Sequence, residues 1–133
     1  MEWLCHHNIN VIGPAGSGKT IIIKKIARKL LKSGIVNEIH VFSPFYGDNT
    51  WGKSVIKHTN VDDIVDLCAN ETGRKLIIFD DFGIYVKDSQ ALLELLTKSR
   101  SHNNRIIISC QPAEKKSYPQ SVRKSCSCKI VLR

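Results

Sequence analysis

Residues 8–20 read NINVIGPAGSGKT, and the fold is decided in this stretch. Asn8 to Ile12 has the β-branched, apolar character of a short strand, and Gly13 to Thr20 satisfies the pattern G-x-x-x-x-G-K-[ST] in full. Lys19 to Ser33 then keeps a helical period, with Ile22, Ile23, Ile26, Ala27, Leu30 and Leu31 on one side and Gly34 as its stop. A glycine loop between a strand and a helix can wrap so that successive backbone N–H groups face inward. The helix N-terminus adds positive potential to that concavity, which is the physical recipe for holding phosphate. Gly13, Pro14, Ala15, Gly16, Ser17, Gly18, Lys19 and Thr20 are therefore the candidate nucleotide-binding residues. Lys19 is expected to reach the β- and γ-phosphates of ATP, and the Thr20 hydroxyl to hold Mg²⁺.

Outward from this stretch, β-branched runs alternate with amphipathic ones. Glu38 to Phe42 reads as a second strand, Lys75 to Asp80 as a third, Arg105 to Ser109 as a fourth and Lys129 to Leu132 as a fifth. Pro44 to Lys57 is turn-rich, and a short acidic helix is expected from Asn60 to near Gly73. A leucine-bearing helix should start at Asp88-Ser89 and run to about Arg100, and a turn of helix should cover Pro119 to Lys124. Strands separated by crossover segments predict an α/β fold: a three-layer sandwich with a mostly parallel five-stranded sheet and helices on both faces. The 133 residues are expected to form a single domain.

Hydrolysis needs more than a cradle: a carboxylate to hold metal and a group to orient water are also required. Leu76-Ile77-Ile78-Phe79-Asp80-Asp81 supplies both at the end of an apolar strand, where side chains emerge at the ligand-binding edge of an open parallel sheet. Asp80 is the expected metal-side ligand, direct or through water, and Asp81 the base that polarises water. The run Arg105 to Gln111 ends in polar residues. In P-loop ATPases that insert an extra strand between the cradle strand and the acidic strand it would be that insert, implying the sheet order 5-1-4-3-2. Gln111 or Ser109 would then contact the γ-phosphate or the attacking water.

Taken together, these residues resemble the viral genome-packaging ATPases of the poxvirus type, within the FtsK/HerA superfamily of DNA-pumping P-loop NTPases. The resemblance rests on GPAGSGKT at 13–20, Phe42-Ser43-Pro44, LIIFDDF at 76–82, Ser99-Arg100-Ser101-His102, the strand ending in Gln111, and Pro119-Gln120-Ser121-Val122-Arg123. It implies a Mg²⁺-dependent ATP hydrolase coupling turnover to DNA translocation into a capsid. Lys19, Asp81 and Gln111 would be catalytic, and Arg100 or Arg123 the transition-state arginine, commonly supplied by a neighbouring subunit of a ring. Double-stranded DNA, other copies of the chain and capsid proteins are the implied partners, with the host-cell cytoplasm or the virion as location. Relatives in the superfamily often have Glu where Asp81 stands and continue past the fifth strand, which implies a minimal or C-terminally truncated version here. A viral superfamily 3 helicase domain and a non-catalytic ATP-binding module are the competing readings.

Charge agrees with a polyanionic partner. Net charge is +8, and residues 1–35 carry six basic and one acidic side chain, residues 36–114 eight and eleven, and residues 115–133 six and none. Lys115-Lys116 and Arg123-Lys124 could equally track a DNA backbone or form a solvated tail. The longest aliphatic or aromatic run, Leu76 to Phe79, is far below the roughly 20 residues a membrane helix needs, so no membrane partner is expected. The five cysteines form an odd set with no zinc-ligand spacing and are expected to be free. His6-His7 and His102 lack partners at ligand spacing, and Tyr46 and Trp51 are expected to anchor their loop.

Overall fold

The computed structural model describes residues 8–14, 16–43, 55–58, 60, 63, 74–80, 90–98, 104–110, 126 and 128–132. Six strands form one sheet: β1 (Asn8–Ile12), β2 (Glu38–Phe42), β3 (Ile56–His58), β4 (Lys75–Asp80), β5 (Arg105–Cys110) and β6 (Cys128–Val131). Two helices are described, α1 (Lys19–Lys32) and α2 (Gln90–Lys98). The order across the sheet is β3-β2-β4-β5-β1-β6, and every pairing is parallel. Leaving out β3, this is the predicted 5-1-4-3-2 arrangement. Among the described residues the sheet has six strands instead of five because Ile56–His58, whose first two residues close the segment expected to be turn-rich, pairs with His40 to Phe42 at one edge. Its apolar content is too low to signal a strand. Ile56 is 45% exposed, and the segment is held by backbone pairing and ring contacts.

Alternation along the strands separates two cores. Ile9, Val11, Ile39, Val41, Leu76, Ile78 and Ile107 face α1, which contributes Ile23, Ile26, Ala27 and Leu30 at helical spacing. Phe42, Ile77, Phe79, Ile106 and Ile108 face α2, which contributes Leu92, Leu95 and Leu96. Strands β4 and β5 are apolar on both sides because both faces are covered, as a parallel sheet requires. Asn8 on β1 anchors the second layer, its Nδ2 donating to the Leu96 carbonyl of α2 at 3.2 Å.

Helix α1 ends as its sequence dictates. Gly34 adopts φ +77, a backbone conformation that side-chain-bearing residues resist, and lets the Gly34 and Ile35 N–H groups return to the carbonyls of Leu31 (3.2 Å) and Leu30 (3.1 Å). Ile35 thereby joins the core beneath α1. Among the described residues, no helix is long and apolar enough to cross a membrane. Cys110, Cys126 and Cys128 are free thiols, as expected. Burial pushes the Cys126 thiol up to about 12, so it behaves as a core filler.

Candidate nucleotide site

The cradle begins where β1 runs out. Gly13 extends the strand by one bond, its N–H donating to the Cys110 carbonyl of β5 at 3.1 Å. The chain then turns, with Ser17 N–H donating to the Pro14 carbonyl at 3.1 Å. Gly16 (φ +79) and Gly18 (φ +92) occupy the left-handed region, and among the described residues nothing lies within 4 Å of where a Cβ would stand on either. These two positions need glycine for conformation alone. Gly13 needs it for space: a Cβ there would stand 2.4 Å from Ser17 Oγ, 3.0 Å from Leu132 Cβ and 3.2 Å from Lys19 Cγ. Gly18 is also the N-cap of α1 and offers no side-chain oxygen, and the first turn carries no acidic residue. The first-turn N–H groups, which have no partner within the helix, therefore keep their positive potential uncompensated from those two sources.

Lys19 is buried at 7% exposure, and its Nζ donates to the Gly13 carbonyl at 2.8 Å, so the ammonium already lies across the loop. Ser17 Oγ is buried and has no hydrogen-bond partner among the described residues. A hydroxyl stripped of water without a partner is costly, on the order of 1–3 kcal/mol. Within a loop of inward-facing donors, an acceptor-rich ligand such as phosphate would satisfy it.

The acidic strand approaches from two strands away. Asp80 ends β4 in register with Ser109 of β5, and Ser109 is in turn in register with Val11 of β1. That places Asp80 two strand spacings, about 10 Å, from the strand leading into the cradle. By alternation Asp80 and Ser109 share the sheet face of Leu76, Ile78 and Ile107, the face covered by α1. The fully buried Ser109 directs its hydroxyl at Asp80 Oδ1 (3.1 Å), with the Phe79 carbonyl at 3.4 Å. From sequence Ser109, with Gln111 as the alternative, is expected to contact the γ-phosphate or the attacking water; its bond to the Asp80 carboxylate is a further contact that strand-end polarity alone does not reveal. Thr20 and Asp80 are both partly exposed. Their hydroxyl and carboxylate are the hard oxygen donors that Mg²⁺ prefers, and together with the Ser17 hydroxyl, unpartnered among the described residues, they fit a Mg–triphosphate. Ala15, Asp81, Arg100, Gln111 and Arg123 lie outside the described residues, as do most of the expected 60–73 helix and the 119–124 turn.

A glycine-bent loop between β1 and α1, with a strand-end carboxylate on the same sheet face, defines a P-loop NTPase. The family model described as "Novel STAND NTPase 5" matches residues 6–123, and the chain belongs to that family. No curated protein is close enough in sequence to count as a match. Among solved structures, the cytoplasmic domain of EssC superposes with a TM-score of 0.72 at 14% identity, covering 94% of this chain and 30% of that one. The genome packaging NTPase B204 from Sulfolobus turreted icosahedral virus 2, in complex with AMPPCP, gives 0.70 at 18% identity, covering 94% and 73%. The pCW3 conjugation coupling protein TcpA, in a monomer form with ATPgS, gives 0.76 at 17%, covering 98% and 50%. At these identities the likeness is one of fold, and the chain spans under a third of the EssC domain and half of TcpA.

Proposed function

We propose that this NTPase is a Mg²⁺-dependent ATPase that couples hydrolysis to movement of DNA, most specifically the filling of a viral capsid. The observation that carries the nucleotide half is the buried Ser17 hydroxyl, unpartnered among the described residues, near Lys19 in a loop bent by the left-handed Gly16 and Gly18. Bound Mg²⁺ would supply charge neutralisation between phosphate oxygens, with Thr20 and Asp80 as its protein-side oxygens. Lys19 would exchange the Gly13 carbonyl for phosphate oxygen. Ser109 holds Asp80 in one orientation. Asp81 would take the proton of the attacking water, Gln111 would sense the γ-phosphate, and Arg100 or Arg123 of an adjacent copy in a ring would stabilise the transition-state charge.

Support for the DNA half comes from the likeness to B204, a genome packaging NTPase, and to TcpA, a conjugation coupling protein, and from the charge of α1. Lys25, Arg28, Lys29 and Lys32 all lie exposed on a helix without a single acidic residue. Capsid proteins as partners, and the host cytoplasm or virion as location, belong to the same reading. The test is the ATPase rate with and without double-stranded DNA, taken with the mass of the assembly in Mg-ATP. Stimulation by DNA that fades as salt rises, in an oligomer, is expected. Turnover indifferent to DNA at low salt would remove the motor, and ATP binding without turnover would leave only a binding module.

A further inference from the structure

The two sides of the sheet differ in charge. Of the described acidic residues, Glu38 and Asp63 meet His40 and His58 on the α2 side, and Glu94 sits on α2 itself, bonded to Lys98 at 2.7 Å. The side covered by α1 has one described carboxylate, Asp80, at the nucleotide end. Helix α1 carries the opposite balance: its sequence, KTIIIKKIARKLLK, holds six basic residues and no acidic one. Ile23, Ile26, Ala27 and Leu30 turn inward, which leaves Lys25, Arg28, Lys29 and Lys32 exposed on the outer face. Among the described residues no carboxylate pairs with any of these four. At about 100° per residue, Lys25, Arg28 and Lys32 fall within about 60° of one another around the axis. They form a straight row about 10 Å long, with Lys29 beside it.

A face that meets only water has no use for this pattern. Lys25 and Arg28, Lys25 and Lys29, Arg28 and Lys32, and Lys29 and Lys32 stand three or four positions apart, where like charges repel. Acids interleaved at that spacing would remove the repulsion, as Glu94 does for Lys98 on α2. Lys29 and Lys32 lie in the last turn, where the helix dipole favours a cation. Lys25 and Arg28 lie before it and gain nothing from that source.

The shape of the row selects among anionic partners. Ile21 (62% exposed) and Leu31 (42%) also face outward, but ten residues, about 15 Å, separate them, with the cations between. A helix lying in a membrane surface needs a continuous apolar face, and that of α1 is already packed on the sheet. A row of cations with no apolar seam suits the backbone of a duplex. Phosphates rise about 3.4 Å each along one DNA strand, so a row of about 10 Å spans roughly three of them.

We propose that the outer face of α1, centred on Lys25, Arg28 and Lys32, is a docking surface for the phosphate backbone of double-stranded DNA. This surface presupposes the DNA half of the function proposed above and adds where the polymer lies. It shares one helix with the cradle: α1 begins at Lys19, whose ammonium lies across the phosphate loop, and Lys25 stands six residues, about 9 Å, further along. Triphosphate at the head of α1 and DNA along its side are then held by one rigid element, and a shift of the helix on nucleotide exchange carries the duplex with it.

The test is binding of a mixed-sequence duplex to the full chain, read by fluorescence anisotropy across a salt series without nucleotide. Lys25→Gln/Arg28→Gln removes the two cations ahead of the last turn and keeps residues of similar helix propensity. Lys98→Gln/Lys129→Gln removes the same charge from the opposite side of the sheet, where both residues are exposed. The α1 variant should lower the slope of log K against log salt by about 1.8, the equivalent of two phosphate contacts, and weaken binding at low salt by at least about tenfold. The control should keep the slope of the unmodified protein. An α1 variant that binds like its parent, or a control that loses as much, would overturn the surface. So would tighter binding of the parent to phosphatidylserine vesicles than to duplex, lost in the α1 variant. Should the α1 variant melt below its parent, Lys32→Gln alone decides, with an expected slope change of about 0.9. ATPase stimulation on the same proteins separates this surface from the motor. Stimulation at undiminished DNA affinity in the α1 variant removes the surface and leaves the motor, whereas a parent that binds no duplex at low salt removes both.

Discussion

Removing one oxygen from the phosphate loop should stabilise the empty protein and weaken it as a nucleotide binder. In Ser17→Ala the lost atom is Ser17 Oγ, buried and unpartnered among the described residues. Its desolvation costs the empty fold on the order of 1–3 kcal/mol, and removing it recovers part of that against a small loss of packing. A net gain of about 1 kcal/mol is expected, which for a domain of this size raises Tm by a few degrees, roughly 2–8 °C. With Mg-ATP the balance reverses. A hydroxyl donating to an ionised phosphate is worth about 1.5–3 kcal/mol, so the variant should bind roughly 10- to 100-fold more weakly. Thermal melts with and without Mg-ATP, with calorimetric titration for affinity, read both halves. The expected pattern is a higher melting point without ligand and a smaller ligand-induced increment. If the empty variant melts lower than its parent, the hydroxyl has a partner in the folded protein and the orphan argument fails. If affinity is unchanged, the hydroxyl does not face phosphate.

Two further substitutions test the geometry around this atom. Gly13→Ala drives a methyl to 2.4 Å from Ser17 Oγ and 3.0 Å from Leu132 Cβ, and overpacking of this kind costs typically 1–3 kcal/mol. Denaturant melts should show that loss, and the Ser17→Ala change should relieve part of it in the double variant; strict additivity would refute the contact. Ser109→Ala removes the 3.1 Å donor from Asp80 Oδ1 without touching the loop. It should raise the Mg²⁺ concentration for half-maximal ATPase by about 2- to 10-fold, the worth of one such bond, with Ser109→Thr recovering it. An unchanged Mg²⁺ requirement would leave Ser109 a packing residue only.

Much of this architecture is legible in the chain because its signals are local and repeated. The Gly13 to Thr20 pattern carries its own context of strand before and helix after, and α1 begins at Lys19 as expected. The core strands announce themselves by length and apolarity, as in Leu76 to Phe79, since burial on both faces leaves no polar alternation to confuse them. What escapes a sequence reading is whatever depends on neighbours across the sheet. β3 has three residues, of which Ile56 alone is a strong strand former, and its strand pairing is with the edge that β2 offers. The hydrogen bond between His40 Nδ1 and His58 Nε2, across β2 and β3, is equally silent, because the two residues stand 18 positions apart with no ligand spacing between them. Ser109 illustrates a subtler case: its place at the site edge is readable, but the register that aims its hydroxyl at Asp80 is a property of the paired strands.

That register makes β5 the element joining the two halves of the site. Two consecutive residues of this strand hold one half each: Ser109 donates to Asp80 on the β4 side, and the Cys110 carbonyl accepts from Gly13 on the β1 side, both at 3.1 Å. Neither bond is to solvent-facing, rotatable surface, as both residues are at least 98% buried in a strand paired on both edges. A closely packed, doubly paired strand cannot tilt at its end without moving either the carboxylate or the first glycine of the loop. The spacing between the Asp80 backbone and the first glycine of the cradle is therefore set by backbone pairing, and the Ser109 hydroxyl then orients the carboxylate. The next residue in the chain is Gln111. The sensing role proposed for Gln111 therefore predicts that Gln111→Ala lowers ATP turnover while leaving Mg-ATP affinity within about twofold, and a loss of affinity as large as the loss of rate would refute it.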